Sequence, residues 1–190
     1  MKYLKLFESF DKSKIDEICN QYKIKDYTIN PDGSIDANRD VYLNNKGLTK
    51  LPLKFNKING FINFSSNRLI SLEGSPMEIN NSFWCNLNRL TSFEYTPKII
   101  RGGLDCRFNN IKTFEHFPSC IKYYFCCDDN PIEEVWKLFE DTTKIELLND
   151  FDIFRDEDTD EPAIIMDRLN DFLLTIGKDP VEKVKGYKNI

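Results

Sequence analysis

The sequence predicts an α/β solenoid: about four to five short coils of parallel strands, with an N-terminal α/β cap and a C-terminal helical cap. Three observations predict this fold. Residues 41–135 repeat every 21 residues without an insertion, and a fixed period of this size is typical of solenoids. Each cycle has one asparagine, followed two residues later by leucine or isoleucine, and apolar residues alternate upstream of it, as in a strand. The asparagines are Asn67, Asn88, Asn109 and Asn130.

Each cycle is expected to contain a strand, a turn and a return segment. The columns that point inward are Val41, Ile62, Phe83, Leu104 and Phe125, then Leu43, Phe64, Cys85, Cys106 and Cys127. The asparagine amide after each strand can donate to and accept from backbone groups of neighbouring coils, which predicts a hydrogen-bond ladder along the solenoid. The recurring prolines, Pro76, Pro97 and Pro118, predict that the return segment is extended and lies outside any sheet.

Residues 1–40 are expected to form the first cap, which hides the apolar end of the solenoid. After a short head at residues 1–10, residues 11–24 have a helical pattern with Asp11 or Ser13 as the N-cap. The apolar stripe of this helix is Ile15, Ile18, Cys19 and Tyr22. Residues 27–36 predict a hairpin, because Asn30-Pro31-Asp32-Gly33 is a strong turn signal.

Residues 136–190 are expected to form the second cap, which is predicted to be helical. A first helix begins at Pro131 and carries the stripe Ile132, Val135, Trp136 and Phe139. Residues 142–149 add one or two helical turns. A third helix is predicted to begin at Pro162 and to end at Gly177. The tail at residues 181–190 could add an edge strand.

The repeat resembles the leucine-rich repeat pattern L-x-L-x-x-N-x-L-x-x-L in a short form. Leu90-Thr91-Ser92-Phe93 with Pro97 is similar to the unit of the bacterial class of these repeats. The segments at residues 83–94 and 69–76 also resemble repeats that are common in tailed-phage genomes. The resemblance implies a curved horseshoe and a binding role, without naming one partner.

Composition narrows the classes of function. A net charge of −5 argues against nucleic acid as the main partner, since proteins that bind it usually carry a basic face. The first residues lack the apolar run of a signal peptide, and no stretch is long enough to cross a bilayer. Three of the six cysteines share one repeat column, which indicates packing rather than disulfides. We therefore expect a cytoplasmic protein with reduced thiols that does not bind a membrane.

No catalytic, metal or cofactor site is predicted. The cysteine column suits core packing better than zinc, which needs four convergent ligands, and His116 is expected on the surface without a catalytic neighbour. Cys126, in an outward strand position, is expected to be the most accessible thiol. Asp156-x-Asp158-x-Asp160 is similar to the start of a calcium loop, but Glu161 replaces the glycine that such a loop requires.

The outward side chains of the strands are the best candidates for function, because solenoids bind through this surface and exposed aromatic residues mark interaction sites. The predicted partner-binding residues are Tyr42, Phe61, Trp84, Leu87, Asp105, Arg107, Phe108, Tyr124 and Asp128. The alternative is that the caps fold over this surface and bury it.

These observations lead us to expect a non-catalytic protein-interaction module, phage-encoded, that binds a host or phage protein. Two alternatives remain open. Leu6-Phe7-Glu8 is similar to sites cut by the prohead proteases of large tailed phages, so the chain could be a packaged internal head protein processed after Glu8. It could also be an enzyme or an enzyme-inhibitor subunit, although no set of convergent titratable groups indicates one.

Overall fold

A computed structural model of the chain describes residues 11–155 and 162–190. They form an α/β structure with two largely parallel sheets and a smaller third sheet, compatible with a solenoid-like arrangement. Within these residues no helix is long and apolar enough to cross a membrane. The predicted cleavage after Glu8 and the calcium-loop hypothesis at Asp156 to Glu161 fall outside the described residues.

The elements are short. The helices are α1 (Lys12–Gln21), α2 (Glu133–Trp136), α3 (Ile145–Asp150) and α4 (Met166–Thr175), with a 3₁₀ turn at Thr142–Lys144. The strands are β1 (Tyr27–Ile29), β2 (Ile35–Ala37), β3 (Val41–Tyr42), β4 (Phe55–Ile58), β5 (Ile62–Asn63), β6 (Glu78–Ile79), β7 (Phe83–Trp84), β8 (Ile99–Ile100), β9 (Leu104–Asp105), β10 (Cys120–Ile121), β11 (Phe125–Cys126), β12 (Phe154–Arg155), β13 (Ala163–Ile164) and β14 (Lys188–Asn189).

The five-stranded front sheet has the order β11-β9-β7-β5-β3 and is parallel throughout. Its register places Val41 opposite Ile62, Ile62 opposite Phe83, and so on to Phe125, so that partners are 21 residues apart. The predicted parallel strands are therefore confirmed. Their inward residues are buried from Val41 to Leu104, whereas Phe125 near the C-terminal end is only partly buried.

The return segments contribute β4, β6, β8 and β10 to a second, six-stranded back sheet, with the order β1-β2-β4-β6-β8-β10. The prediction of non-sheet return segments was wrong. The prolines do not prevent pairing because each precedes its strand: Pro76 comes two residues before β6, and β6 then pairs in parallel with β4 and β8. The predicted hairpin, β1 and β2, is confirmed, and β2 joins it to β4 across a register shift.

The predicted asparagine ladder is confirmed. Asn109 donates from Nδ2 to the carbonyls of Cys85 (3.0 Å) and Cys106 (2.9 Å), and its Oδ1 accepts from the Leu90 N–H (2.9 Å). Asn67, Asn88 and Asn130 make equivalent bonds. Each amide thus satisfies backbone groups of its own coil and the preceding one, which would otherwise be buried without partners.

The N-terminal cap follows the prediction. Asp11 caps α1 by accepting from the Ser13 N–H (3.0 Å), and Ile15 and Cys19 turn inward to join the core. One cluster of buried apolar side chains continues from these residues, through the repeats, to Tyr187 near the C-terminus. The core is therefore shared by all the coils that the structure describes.

The C-terminal cap is α/β rather than purely helical, which corrects the prediction. The third helix does not begin at Pro162, because Ala163 and Ile164 form β13, which lies between β12 and β14; α4 begins at Met166. The predicted edge strand in the tail is present as β14. The first cap helix, α2, is short because the N–H groups of Leu138 and Phe139 bond three residues back, which tightens the turn.

Replacing Asn109 by alanine is expected to lower the free energy of unfolding by about 2–4 kcal/mol, since several buried backbone groups lose their partner. Urea titration followed by circular dichroism measures this loss. Asn110→Ala, at the exposed neighbouring residue, is the control and should change stability by less than about 0.5 kcal/mol. Equal effects of the two substitutions would contradict the role of the ladder.

Candidate functional site

A line of aromatic side chains crosses the front face, by which we mean the outward side of the front sheet. Tyr42 meets Phe61 edge to face, with ring centroids 5.0 Å apart, and Phe61 stacks on Trp84 at 5.0 Å. The Trp84 Nε1–H then donates to the hydroxyl oxygen of Tyr124 at 3.0 Å. We call Tyr42, Phe61, Trp84 and Tyr124 the aromatic strip; the repeat brings these four predicted site residues together.

Tyr124 reaches Trp84 by crossing an intervening coil. Its ring lies directly over Gly103, so close that a Cβ atom at residue 103 would overlap the ring. The corresponding residue of the coil before is Ser82 and of the coil after is Tyr124 itself, so glycine is not a fixed feature of this column. Because Gly103 has no side chain, the Tyr124 ring can lie over it and reach Trp84.

A column of left-handed backbone lies beside the strip. The residue before each ladder asparagine has a positive φ: Ser66 (56°), Leu87 (56°), Phe108 (55°) and Asp129 (56°). Asn45 (54°), at the corresponding place in the first cycle, has one too. Asparagine and aspartate adopt this conformation readily, whereas for other side chains it costs about 1–2 kcal/mol because Cβ crowds the following carbonyl. Leu87 and Phe108 carry that cost.

Burial does not compensate for the strain at these two residues. Leu87 is 46% exposed and Phe108 is 47% exposed. Backbone bonds hold them in place, from the Leu87 N–H to the Arg107 carbonyl (2.9 Å) and from the Phe108 N–H to the Asp128 carbonyl (3.0 Å). The sequence predicted both as site residues from their apolar character, but their strained backbone had no signal in the sequence.

Asp105 and Arg107 form an ion pair on the front face. The guanidinium donates to the carboxylate from Nε (2.9 Å) and Nη2 (2.8 Å), and these bonds raise the pKa of Arg107 above its ordinary value. Asp105 is only 9% exposed, so its carboxylate holds Arg107 rather than offering a free contact. Asp128, the remaining predicted site residue, is exposed.

The cysteines do not form a reactive site. Cys85, Cys106 and Cys127 are buried and free, as expected from core packing, and burial raises the pKa of each thiol. The prediction that Cys126 is the most accessible thiol was wrong. Cys126 is partly buried, which raises its pKa, whereas Cys120, in the edge strand of the back sheet, is exposed.

The arrangement of the other described titratable side chains does not suggest a metal site. Among residues 11–155 and 162–190, no group of three or more His, Cys, Asp or Glu side chains is placed to hold a metal ion. His116 is exposed in a back turn, as expected. The front face therefore offers aromatic, apolar and charged contacts rather than a polar pocket.

One groove lies away from the front face. It has a volume of about 1090 Å³, and Ile70, Met77 and Tyr95 expose apolar surface along it. The Lys54–Asp32 ion pair (2.7 Å) also lines this groove. None of the predicted site residues lines it. Because two of its charged groups, Lys54 and Asp32, are paired with each other, the groove by itself identifies no ligand, and the front face remains the candidate site.

The chain matches no protein-family model, no curated protein and no solved structure. Its function is accordingly inferred from the geometry of its own residues.

Tyr124→Phe and Gly103→Ala are each expected to move the Trp84 indole N–H proton resonance upfield, because each removes the hydrogen bond to the Tyr124 hydroxyl. Proton–nitrogen correlation spectra measure the shift, and loss of the peak in Trp84→Phe distinguishes it from Trp136. Tyr123→Phe, at the exposed neighbouring tyrosine, is the control and should leave the peak in place. A Trp84 resonance that is unmoved in Tyr124→Phe would show that this bond does not form in solution.

The thiols are expected to react with a disulfide reagent at pH 8 in the order of their exposure, because the thiolate is the reactive form and a raised pKa lowers its population. Cys120→Ser should remove the fastest phase and Cys126→Ser a slower one. Cys85, Cys106 and Cys127 should react only on unfolding. If the fastest phase persisted in Cys120→Ser and was lost in Cys126→Ser, the placement of the two thiols would be refuted.

Proposed function

We propose that the chain is a non-catalytic protein-interaction module with a short leucine-rich repeat horseshoe fold, encoded by a tailed phage, that binds a host or phage protein on its front face. The host cytoplasm is the proposed location, and the six free cysteines suit such a reducing compartment. The 21-residue register of the front sheet supports the repeat fold.

The aromatic strip is the observation that carries this proposal. Four aromatic side chains from four coils touch in sequence across one surface, and Tyr42 and Tyr124 expose 55% and 42% of their area to solvent. The core is complete without them, since the inward columns fill it. Large aromatic side chains that are held rigid and left exposed bind with little loss of conformational entropy.

Arg107 adds a polar contact of defined position. Its ion pair with Asp105 fixes the guanidinium beside the strip and leaves 43% of the side chain exposed. Arginine, tryptophan and tyrosine are the side chains that contribute most to protein–protein binding. This combination supports a protein partner rather than nucleic acid, whose phosphates would require unpaired cations.

A catalytic role lacks support from the same groups. Catalysis by a thiol would require a thiolate beside a base, and burial disfavours the thiolate at Cys85, Cys106 and Cys127. The Asp105 carboxylate is occupied by Arg107. The proposal therefore assigns binding, and not chemistry, to the front face.

Trp84→Ala combined with Phe108→Ala is expected to reduce capture of the partner from host lysate by roughly a hundredfold, as for loss of two hot-spot residues. Capture on immobilised protein, quantified by mass spectrometry, measures the effect. The substitutions leave the buried columns unchanged, so thermal unfolding should remain cooperative.

Met77→Ala is the matched control, because Met77 is a highly exposed apolar residue that lines the groove away from the front face. It should capture the same partner as the unaltered chain. Undiminished capture by the double variant, or equal loss in Met77→Ala, would overturn the proposed site.

A further inference from the structure

Leu87 and Phe108 follow β7 and β9, at the carboxyl-terminal side of the front sheet, and occupy the same position in their coils. They belong to adjacent coils: the Leu87 N–H bonds to Arg107, and the Asn88 N–H bonds to the Phe108 carbonyl at 3.3 Å. Neither side chain belongs to the apolar core cluster. Together they form a small exposed apolar ledge, whose backbone is bonded to the neighbouring coils.

The fold itself does not require apolar residues at these two places. The same backbone conformation is occupied by Asn45, Ser66 and Asp129 in the other coils. Asparagine would relieve the strain and keep the backbone bonds. Exposed leucine and phenylalanine in strained conformations thus lower stability without contributing to the core, and strain of this kind concentrates at functional sites.

The next coil places negative charge beside the ledge. Asp128 and Asp129 are both exposed, and among the described residues neither carboxylate has an ion-pair partner. Arg107 is already paired with Asp105. Lys137, beyond Asp129, is paired with Glu133 and Glu134. The ledge is thus followed, one coil further on, by two unpaired carboxylates.

Charges in the preceding turns do not offset this acidic end. Arg68 and Arg89 follow the ladder asparagines of two earlier coils, but Asn110 and Pro131 take the corresponding places in the later ones. The front face is therefore asymmetric along the stack, with its apolar ledge next to a negative end. A ligand complementary to it needs an apolar group and, beside it, a positive charge.

We propose that Leu87 and Phe108, with the carboxylates of Asp128 and Asp129 beyond them, form an anchor for a polypeptide segment that carries an apolar side chain close to a lysine or arginine. This deepens the proposed function and rests on it: it names the chemistry of the segment by which the partner is held. The strained residues are binding residues, retained at a cost in stability.

A displayed library of random 12-residue peptides, selected on the full chain, tests the chemistry of the ligand. The enriched peptides should carry an apolar residue within a few positions of lysine or arginine. A synthetic peptide of the enriched sequence should bind roughly tenfold or more weakly to Leu87→Asn/Phe108→Asn. Binding to Asp128→Asn/Asp129→Asn should also weaken and should depend less on salt.

The same variants give a readout that needs no ligand. Leu87→Asn and Phe108→Asn should each raise the melting temperature by about 2–4 °C, because asparagine tolerates the left-handed conformation. Ser66→Asn, in the same column but away from the ledge, is the matched control and should leave peptide binding unchanged. A lower melting temperature in both variants would show that the two side chains support the fold, which overturns the inference.

The remaining outcomes separate this inference from the proposed function. Peptides that lose binding in Trp84→Ala but not in Leu87→Asn/Phe108→Asn would overturn the anchor and leave the front face as the binding site. Enrichment of acidic peptides, or of none, would also overturn the anchor, since it specifies a linear basic and apolar segment. Lysate capture by the single variant Trp84→Ala, which leaves Leu87 and Phe108 in place, decides the proposed function independently.

Discussion

The asparagine that follows four of the five front strands makes the interaction on which the rest of the structure depends. Strands of two residues, such as Phe83–Trp84, supply too few backbone bonds to hold a stack of coils by themselves. The amide of Asn109 joins two coils at the point where the chain leaves the sheet. Without such a group, the turn would bury unsatisfied carbonyls and N–H groups, each at a cost of about 1–3 kcal/mol.

A strained column lies beside the ladder. The chain turns sharply after each front strand, and the residue that makes this turn takes a left-handed conformation, including Asn45, which precedes Lys46 rather than an asparagine. The backbone of Leu87 and Phe108 is therefore set by the turn, whereas their side chains are not. Their apolar character at this costly backbone position is the basis of the anchor that we propose.

The front face combines this strain with a rigid aromatic surface. Stacked coils place residues of distant sequence in contact, so Trp84 and Tyr124 meet although 40 residues separate them. Room for that contact depends on Gly103. The 21-residue register of the front sheet thus brings outward side chains of distant sequence onto one surface, which we propose is the binding surface, while the inward side chains pack in the core.

The repeat made the front sheet and the ladder predictable, because both depend on residue types at fixed spacing, and the turn signal Asn30-Pro31-Asp32-Gly33 made the hairpin predictable. The back sheet was missed because Pro76 and its counterparts suggested unpaired backbone, although they stand before the strands. The exposure of Cys120 followed from that sheet and was missed with it. The strain at Leu87 and Phe108 was not predictable, since neither residue type signals a positive φ, and the Trp84–Tyr124 bond depends on a side-chain path across Gly103.

The central claim is that inward side chains stabilise the fold, whereas outward side chains do not. Alanine substitutions at two adjacent residues of one strand test it most directly. Phe83 is fully buried and Trp84 faces outward. Measured by urea unfolding, Phe83→Ala should lose about 3–5 kcal/mol, whereas Trp84→Ala should lose no more than about 1.5 kcal/mol, the worth of its aromatic contacts. If Trp84→Ala lost as much stability as Phe83→Ala, the front face would be part of the core, and its role as a free binding surface would be contradicted.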